Sequence, residues 1–177
     1  TNPNLSQYLT TREFGEINRY ILGRIDNESI STSIRLNYLI NPNLSIQYYG
    51  QPFIFKANYD QFKYVTNSTA EKLNDRFIAY NPEQISFENN TYYIDEDLDN
   101  NIDYSFGNPD FTSVQFKSNL VLRWEYKAGA ELYFVWAQGI NNFTDINNNL
   151  FGNLIDNIRD SRPENTFLVK ATFRIGS

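Results

Sequence analysis

SISTSIRLNYLI at residues 29–40, NPN at 41–43 and LSIQYYGQPFIF at 44–55 decide the fold. In the first run Ile30, Thr32, Ile34, Leu36, Tyr38 and Ile40 share one face, while Ser31, Ser33, Arg35 and Asn37 share the other. A repeat of two residues is the signature of a β-strand. Asn41, Pro42 and Asn43 supply turn chemistry, since proline fixes φ and offers no ladder donor and asparagine tolerates left-handed φ. The return strand sets Leu44, Ile46 and Tyr48 against Ser45, Gln47 and Gln51, with Gly50 and Pro52 marking an irregularity near its far end.

A second hairpin repeats the design in SVQFKSNLVLRWEYKAGAELYFVWAQG, residues 113–139. Phe116, Leu120, Leu122, Trp124 and Tyr126 fall on one face, and Lys117, Asn119, Arg123 and Glu125 largely on the other. After the turn at Lys127, Ala128 and Gly129, the apolar face resumes at Leu132, Phe134 and Trp136. A last strand alternates Phe167, Val169, Ala171, Phe173 and Ile175 with Leu168, Lys170, Thr172 and Arg174. A further strand is expected near Ile17–Ile25.

The composition suits this reading. Tyr 13 and Phe 14 stand among abundant Asn, Ser and Thr, and mean hydropathy is −0.54, as expected of two-faced strands joined by wet loops. With Cys 0 there are no disulfides or thiolate metal sites, and with His 0 the commonest general base and zinc ligand is missing. Formal net charge −6 and the lack of a basic stripe argue against nucleic acid. No apolar run is long enough for a transmembrane helix, although a membrane-crossing strand needs only about 9–11 residues. The chain opens on Thr1 without a charged-then-apolar segment, which implies a removed signal or a piece of a longer polypeptide.

Two architectures produce such alternation: a soluble sandwich with one wet face per sheet, or a barrel with a lipid face and a polar lumen. Strands of roughly 10–13 residues exceed the usual globular length of about 5–6. Two connections are tight, whereas residues 60–113 and 140–164 form long polar ones; this asymmetry is the habit of outer-membrane barrels. Tyr38, Tyr48, Trp124, Tyr126 and Trp136 suit interfacial girdles, and Arg35, Arg123, Lys170 and Arg174 suit a lumen. About five strands, against the roughly eight of the smallest single-chain bacterial barrels, predict pairing with preceding strands of the same barrel or of another chain.

RLNYLINPNLSIQYYGQPFI (35–54), DEDLDNNIDYSFGNPDF (95–111), NLVLRWEYKAGAELYFVWAQG (119–139) and NTFLVKATF (165–173) together resemble a Bacteroidetes outer-membrane barrel domain of unknown function, one that usually follows a family-9-like carbohydrate-binding domain. The four blocks stand in the same order over most of residues 19–175. The resemblance implies the C-terminal portion of a barrel in a larger surface protein of a Gram-negative bacterium, and informs location more than activity. One departure lies at the end of the chain, where Phe173 is followed by Arg174, Ile175, Gly176 and Ser177 in place of a terminal aromatic.

The strongest chemical motif is YIDEDLDNNIDY, in which Asp95, Asp97, Asp99, Asn101 and Asp103 offer side-chain oxygens at every second residue. Such oxygens curling round one ion are what a calcium loop supplies. Asn100 stands where the turn glycine is usual, and Phe106 where a bidentate Glu is expected. The alternative is a solvated acidic loop tip. Glu88, Asp110 and Glu125 form no recognisable glycosidase arrangement, and the reading is non-catalytic. Loop aromatics, Tyr80, Phe87 and above all Tyr92, Tyr93, Tyr104 and Phe106, are candidates to stack on sugar rings or to pin the loop.

The expected organisation is an N-terminal segment with a possible short strand and loop (1–29), a first hairpin (30–59), a long polar loop with the acidic motif (60–113), a second hairpin (114–139), a loop (140–164) and a C-terminal strand (165–177). The expected fold is all-β and antiparallel, the C-terminal strands and loops of a transmembrane outer-membrane barrel. Lipid, neighbouring strands, glycan and calcium are the expected partners. A soluble sandwich that binds carbohydrate through loop aromatics, and a structural or assembly element of a membrane complex, are the alternatives.

Overall fold

A computed structural model describes residues 6–144 and 149–174, and among these the chain is mostly antiparallel β. The strands are β1 (Ser6–Phe14), β2 (Ile17–Ser31), β3 (Ile34–Asn41), β4 (Leu44–Val65), β5 (Phe77–Ala79), β6 (Ile85–Glu88), β7 (Thr91–Ile94), β8 (Tyr104–Gly107), β9 (Phe111–Lys127), β10 (Ala130–Thr144) and β11 (Glu164–Phe173); one helix, α1, spans Leu150–Asp160. Eight strands form one sheet in the order β1-β2-β4-β9-β10-β11, with β3 and β5 also paired to β4, and β6-β7-β8 form a second. Two compact units divide the chain, residues 1–27 with 57–110 and residues 28–56 with 111–177.

In the unit of residues 28–56 and 111–177, both hairpins read from the sequence are present. Asn41 and Leu44 close the β3–β4 turn, where the Asn41 side chain accepts the Asn43 N–H at 2.9 Å. Gly129, at φ 77°, lets the β9–β10 turn close. These two turns lie at one end, joined by the Glu125 N–H donated to the Asn43 carbonyl at 2.7 Å. The strands are longer than expected, 17 residues in β9 and 15 in β10.

Register assigns the faces. Leu122 opposes Phe134, which opposes Val169; Leu120, Trp136 and Phe167 form the next row, and Trp124, Leu132 and Ala171 the row toward the turn. Paired residues share a face and successive residues alternate. One face of these three strands is therefore a continuous apolar sheet, and much of it is exposed: Phe167 by 72%, Val169 by 63%. The opposite face carries Asn119, Arg123, Glu131, Tyr133, Thr166 and Lys170, interrupted by Val121, Val135 and Leu168. Arg123 donates to Glu131 through Nε at 3.1 Å, and the Tyr133 hydroxyl donates to Glu131 at 2.6 Å.

Three segments differ from expectation. Residues 1–29 hold a full hairpin, β1 with β2, whose register runs from Ser6↔Arg24 to Phe14↔Ile17 about Gly15 at φ 59°. The stretch 60–113, expected as a loop, carries the end of β4, a 3₁₀ turn at Leu73–Arg76, and strands β5 to β8. Runs of three or four residues are too short for alternation to be counted. The β6–β7 turn is made by Asn89 and Asn90, both left-handed at φ 50° and 60°, a pair suited to a tight two-residue hairpin. The stretch 140–164 continues β10 to Thr144 and then forms α1. Its buried side is Leu150, Leu154 and Ile158, spaced by four, and the Asn149 side chain caps it by accepting the Gly152 N–H at 3.0 Å. Gly152 and three asparagines at 149, 153 and 157 mask the helix by propensity. Ile175, Gly176 and Ser177, assigned to the last strand by alternation, and Thr1 lie outside the described residues.

Leu154 packs on Ile54 and Val114, all buried, with Ile30 alongside. Leu154→Ala is expected to cost about 2–5 kcal/mol. Hydrogen exchange should show lost protection in α1 while the β9–β10 ladder keeps its own.

Candidate functional site

The acidic motif sits in the connection between β7 and β8, within the unit of residues 1–27 and 57–110. Carboxylate oxygens of Asp95, Asp97 and Asp99 lie within 4.8 Å of one another. The backbone curls through two left-handed residues, Leu98 at φ 62° and Asn100 at φ 67°. Asn100 thus takes the conformation that the motif demands of its turn position, and Leu98 does so at a steric cost that glycine would avoid. Backbone N–H groups point inward: Asp95 accepts those of Asp99 at 3.1 Å and Asn100 at 2.9 Å, and Asp99 accepts that of Asn101 at 2.8 Å.

Only part of the expected ligand set converges. Asn101 turns its side-chain amide to Asp99, donating from Nδ2 to Oδ2 at 3.0 Å. Asp103 turns the other way, its Oδ2 accepting the Glu96 N–H at 2.7 Å. Partial desolvation, then the neighbouring charges of Asp99 and Asp103, raises the Asp97 pKa, while hydrogen bonds from Asn101 lower that of Asp99. Three carboxylates fit a hard cation, but calcium takes about 6–8 oxygens, so water and backbone carbonyls would have to complete the set.

Glu96, between two of these aspartates, is the residue that the sequence reading passed over. It turns inward and pairs with Arg19 of β2: Arg19 Nη2 donates to Oε1 at 2.6 Å and Nε to both carboxylate oxygens at 3.0 Å. Their side chains are 15% and 7% exposed. The Tyr104 hydroxyl donates to Glu96 Oε2 and lies 3.0 Å from the Tyr80 hydroxyl. The Arg19 guanidinium also sits over the Tyr64 ring, 4.8 Å from its centroid, and 5.3 Å from that of Phe14. Arg12 adds a second tie, its Nε donating to the Ser105 carbonyl at 2.6 Å. The available sequence signal is a lone Glu in a run of Asp, since its longer side chain can reach a strand that Asp cannot.

The candidate sugar-stacking residues are largely spoken for. Tyr104 and Phe106 are buried, and Tyr92 is wedged among Phe62, Phe87 and Phe106 at centroid distances of 4.6, 4.5 and 5.2 Å. These rings pin β6-β7-β8 to β4 and leave no open face on Phe106 or Tyr104 for a sugar. Tyr93, half-buried, lies on the other face of β7, opposite Ser86 and Ser105. The carboxylates weighed for hydrolysis have structural work: Asp110 accepts the Tyr59 N–H at 2.6 Å, and Glu125 accepts the Gly129 N–H at 3.2 Å; Glu88 is exposed.

Comparison with protein-family models, with curated proteins and with solved structures finds no match to this chain.

Burial pushes the Tyr80 phenol up to about 12, and burial with the Glu96 carboxylate beside it raises Tyr104 also. A phenol whose folded pKa exceeds the ordinary value of 10.0 contributes stability that is complete below that value and is lost as pH rises through about 12. Absorbance titration should therefore show late-ionising tyrosines, and proteolysis of residues 80–108 should accelerate between about pH 10 and 12. Glu96→Gln, which strips the charge from a mostly buried pair, is expected to destabilise this region by about 3–5 kcal/mol.

Proposed function

We propose that the chain is a non-catalytic segment of an outer-membrane β-barrel in a Gram-negative bacterium, with polar loops carried on a lipid-embedded wall. The observation that carries this is the exposed apolar face of β9, β10 and β11, backed by a face bearing Arg123, Glu131 and Lys170. A protein surrounded only by water rarely leaves so extended a patch open. In a lipid bilayer the same surface is at rest, and the polar face becomes lumen. In a soluble sandwich a second sheet would cover this face, whereas among the described residues of the unit 28–56 and 111–177 no second sheet does, and α1 packs only near its end, on Ile54 and Val114.

Further support comes from the sheet edges. Among the described residues β1 pairs only with β2, and β11 only with β10, so both ends of the strand order offer unpaired backbone. Six strand positions are fewer than the roughly eight of the smallest single-chain bacterial barrels. Preceding strands of the same barrel or of another chain are the partners that would cap these edges. A role in handling glycans or other nutrients at the cell surface rests on the family resemblance alone, as does placement in a larger protein.

Lysine at Leu122 or Val169 is expected to cost about 2–4 kcal/mol in bilayer-refolding titrations, while Asn119→Lys should be tolerated. Stable monodispersity in water without detergent, with Leu122→Lys neutral, would refute the barrel.

The acidic loop is proposed as a weak calcium site held by Asp95, Asp97 and Asp99. Calcium should slow proteolysis near residues 95–103, and Asp97→Asn should abolish that protection. Equal cleavage in calcium and in chelator would leave the loop as a solvated acidic tip.

A further inference from the structure

Two residues beyond the row of Asn119, Ala137 and Thr166, on the polar side of the sheet, Lys117 lies opposite Gly139 and Gly139 opposite Glu164. Strand β11 begins at this row, so among the described residues β10 runs on from Ile140 to Thr144 with no strand on that side. A cleft of about 650 Å³ opens at the step. It is bounded by Lys117, Gly139, Asn141 and Glu164 of the strands and by Ser161 and Arg162 of the connection between α1 and β11. Cavities of about 300–1,000 Å³ are of the size that takes a small molecule.

Gly139 is out of place by the rules of the sheet. Glycine inside a strand weakens it, and is kept where the backbone needs left-handed φ, where a neighbour crowds it or where a ligand comes close. A Cβ at Gly50 would come within 2.9 Å of the Tyr48 hydroxyl, which accounts for that glycine. Gly139 has no positive φ, and a Cβ there would meet no atom within 4 Å. The first two reasons are absent, and the open floor it leaves lies between Lys117 and Glu164.

The charges of the cleft are equally unspent. Nearer the turn Arg123 pairs with Glu131, to which the Tyr133 hydroxyl also donates. In the cleft, among the described residues, the side chains of Lys117, Arg162 and Glu164 have neither ion pair nor hydrogen bond, and the Asn141 amide and Ser161 hydroxyl have no hydrogen bond. Asp160, at the rim, is held by Arg159 at 3.1 Å. Two cations and one carboxylate thus line one small space without pairing with one another.

We propose that this cleft binds a small zwitterion lying over Gly139, its carboxylate against Lys117 and Arg162 and its ammonium against Glu164. A simple anion would meet Glu164 as a like charge, and a simple cation would meet Lys117 and Arg162; a ligand of both signs opposes each free charge with its complement. Lys117 and Glu164 stand two strand spacings apart, about 10 Å, and side chains rising side by side from the sheet keep about that separation. A hydrogen bond of about 2.8 Å at each end leaves about 4–5 Å between the ligand's own charges. That is the span of an amino acid or a dipeptide. The site goes beyond the barrel reading and does not depend on it, since it asks only that this face meet water.

Saturation-transfer difference NMR on the full chain in non-ionic detergent, with glycylglycine as the probe, tests this. Glycylglycine should bind saturably. N-acetylglycylglycine and glycylglycinamide, which lack the ammonium and the carboxylate, should each bind about fivefold more weakly, as for the loss of one solvent-exposed ion pair. Lys117→Gln should weaken glycylglycine to the same degree and leave glycylglycinamide unchanged, and Glu164→Gln should bring glycylglycine down to the level of its acetylated form. Gly139→Val, whose Cβ meets no neighbour and which favours a strand, should fill the floor, so that binding is lost while the melting temperature holds or rises. Glycylglycine that fails to saturate, blocked peptides or glucose that bind as well as the zwitterion, or undiminished binding by a folded Gly139→Val would overturn the proposal. Should Gly139→Val unfold, Lys117→Gln and Glu164→Gln, both at exposed positions, decide it by the same comparison.

Discussion

Leu122, Phe134 and Val169 stand in line across three hydrogen-bonded strands, and that alignment constrains everything around it. The ladder between β9 and β10 runs unbroken from Glu131↔Glu125 to Thr144↔Thr112, so no residue in between can exchange faces without slipping the whole register. Once one apolar row is placed, the others follow, and so does the polar row of Arg123, Tyr133 and Lys170 on the reverse. A slip of one residue would move charge into the apolar face and aliphatics onto the polar one. In either solvent that exchange is costly, and its cost is what specifies the register.

The unit of residues 1–27 and 57–110 solves a different problem. Its second sheet has strands of only four residues, too little ladder to stand alone. Aromatic packing of Phe62, Tyr92 and Phe106 supplies the apolar part of its anchorage, and the Arg19–Glu96 pair supplies the polar part. A mostly buried ion pair adds little net stability over an apolar replacement, but it is demanding about partner and geometry. Here it selects one residue from a run of carboxylates. With Glu96 turned inward and Asp103 receiving its N–H, Asp95, Asp97 and Asp99 are left together on the exposed side. The acidic cluster is thus a consequence of how the loop is anchored, whether or not a cation uses it.

What could be read from the sequence depended on how far a pattern extended. The hairpins at 34–50 and 112–144 were legible because alternation persists through many residues and the turns use Pro42, Asn43 and Gly129. Strands β5 to β8 were not, because three or four residues cannot establish a period, and α1 was not, because glycine and asparagines dilute its stripe. In the acidic motif the left-handed Asn100 was legible from chemistry alone. The turning away of Asp103 to the Glu96 N–H was not, since spacing along the chain says which oxygens could meet and not which have a better partner. The aromatics show the same limit: Tyr104 and Phe106 were legible as rings that stack on sugar or pin the loop, and the choice between the two depends on neighbours across the unit, in strands whose pairing no local pattern reveals.

The polar reverse face carries its own argument about what lies behind it. Arg123, Glu131 and Tyr133 bond to one another, with Lys170 over the Tyr133 ring, 5.8 Å from its centroid. Such a cluster satisfies its charges sideways, along the wall, and needs no partner from in front. A sheet face designed to pack against another sheet would offer aliphatics there, because charges facing a dry core must be matched group by group. A face that balances its charges within its own plane can instead meet water, which accepts any residual donor. The apolar side has no such self-sufficiency, since contact among its own rows still leaves their outward surface exposed. The two faces therefore call for different surroundings, and the proposed wall between lipid and water would provide both.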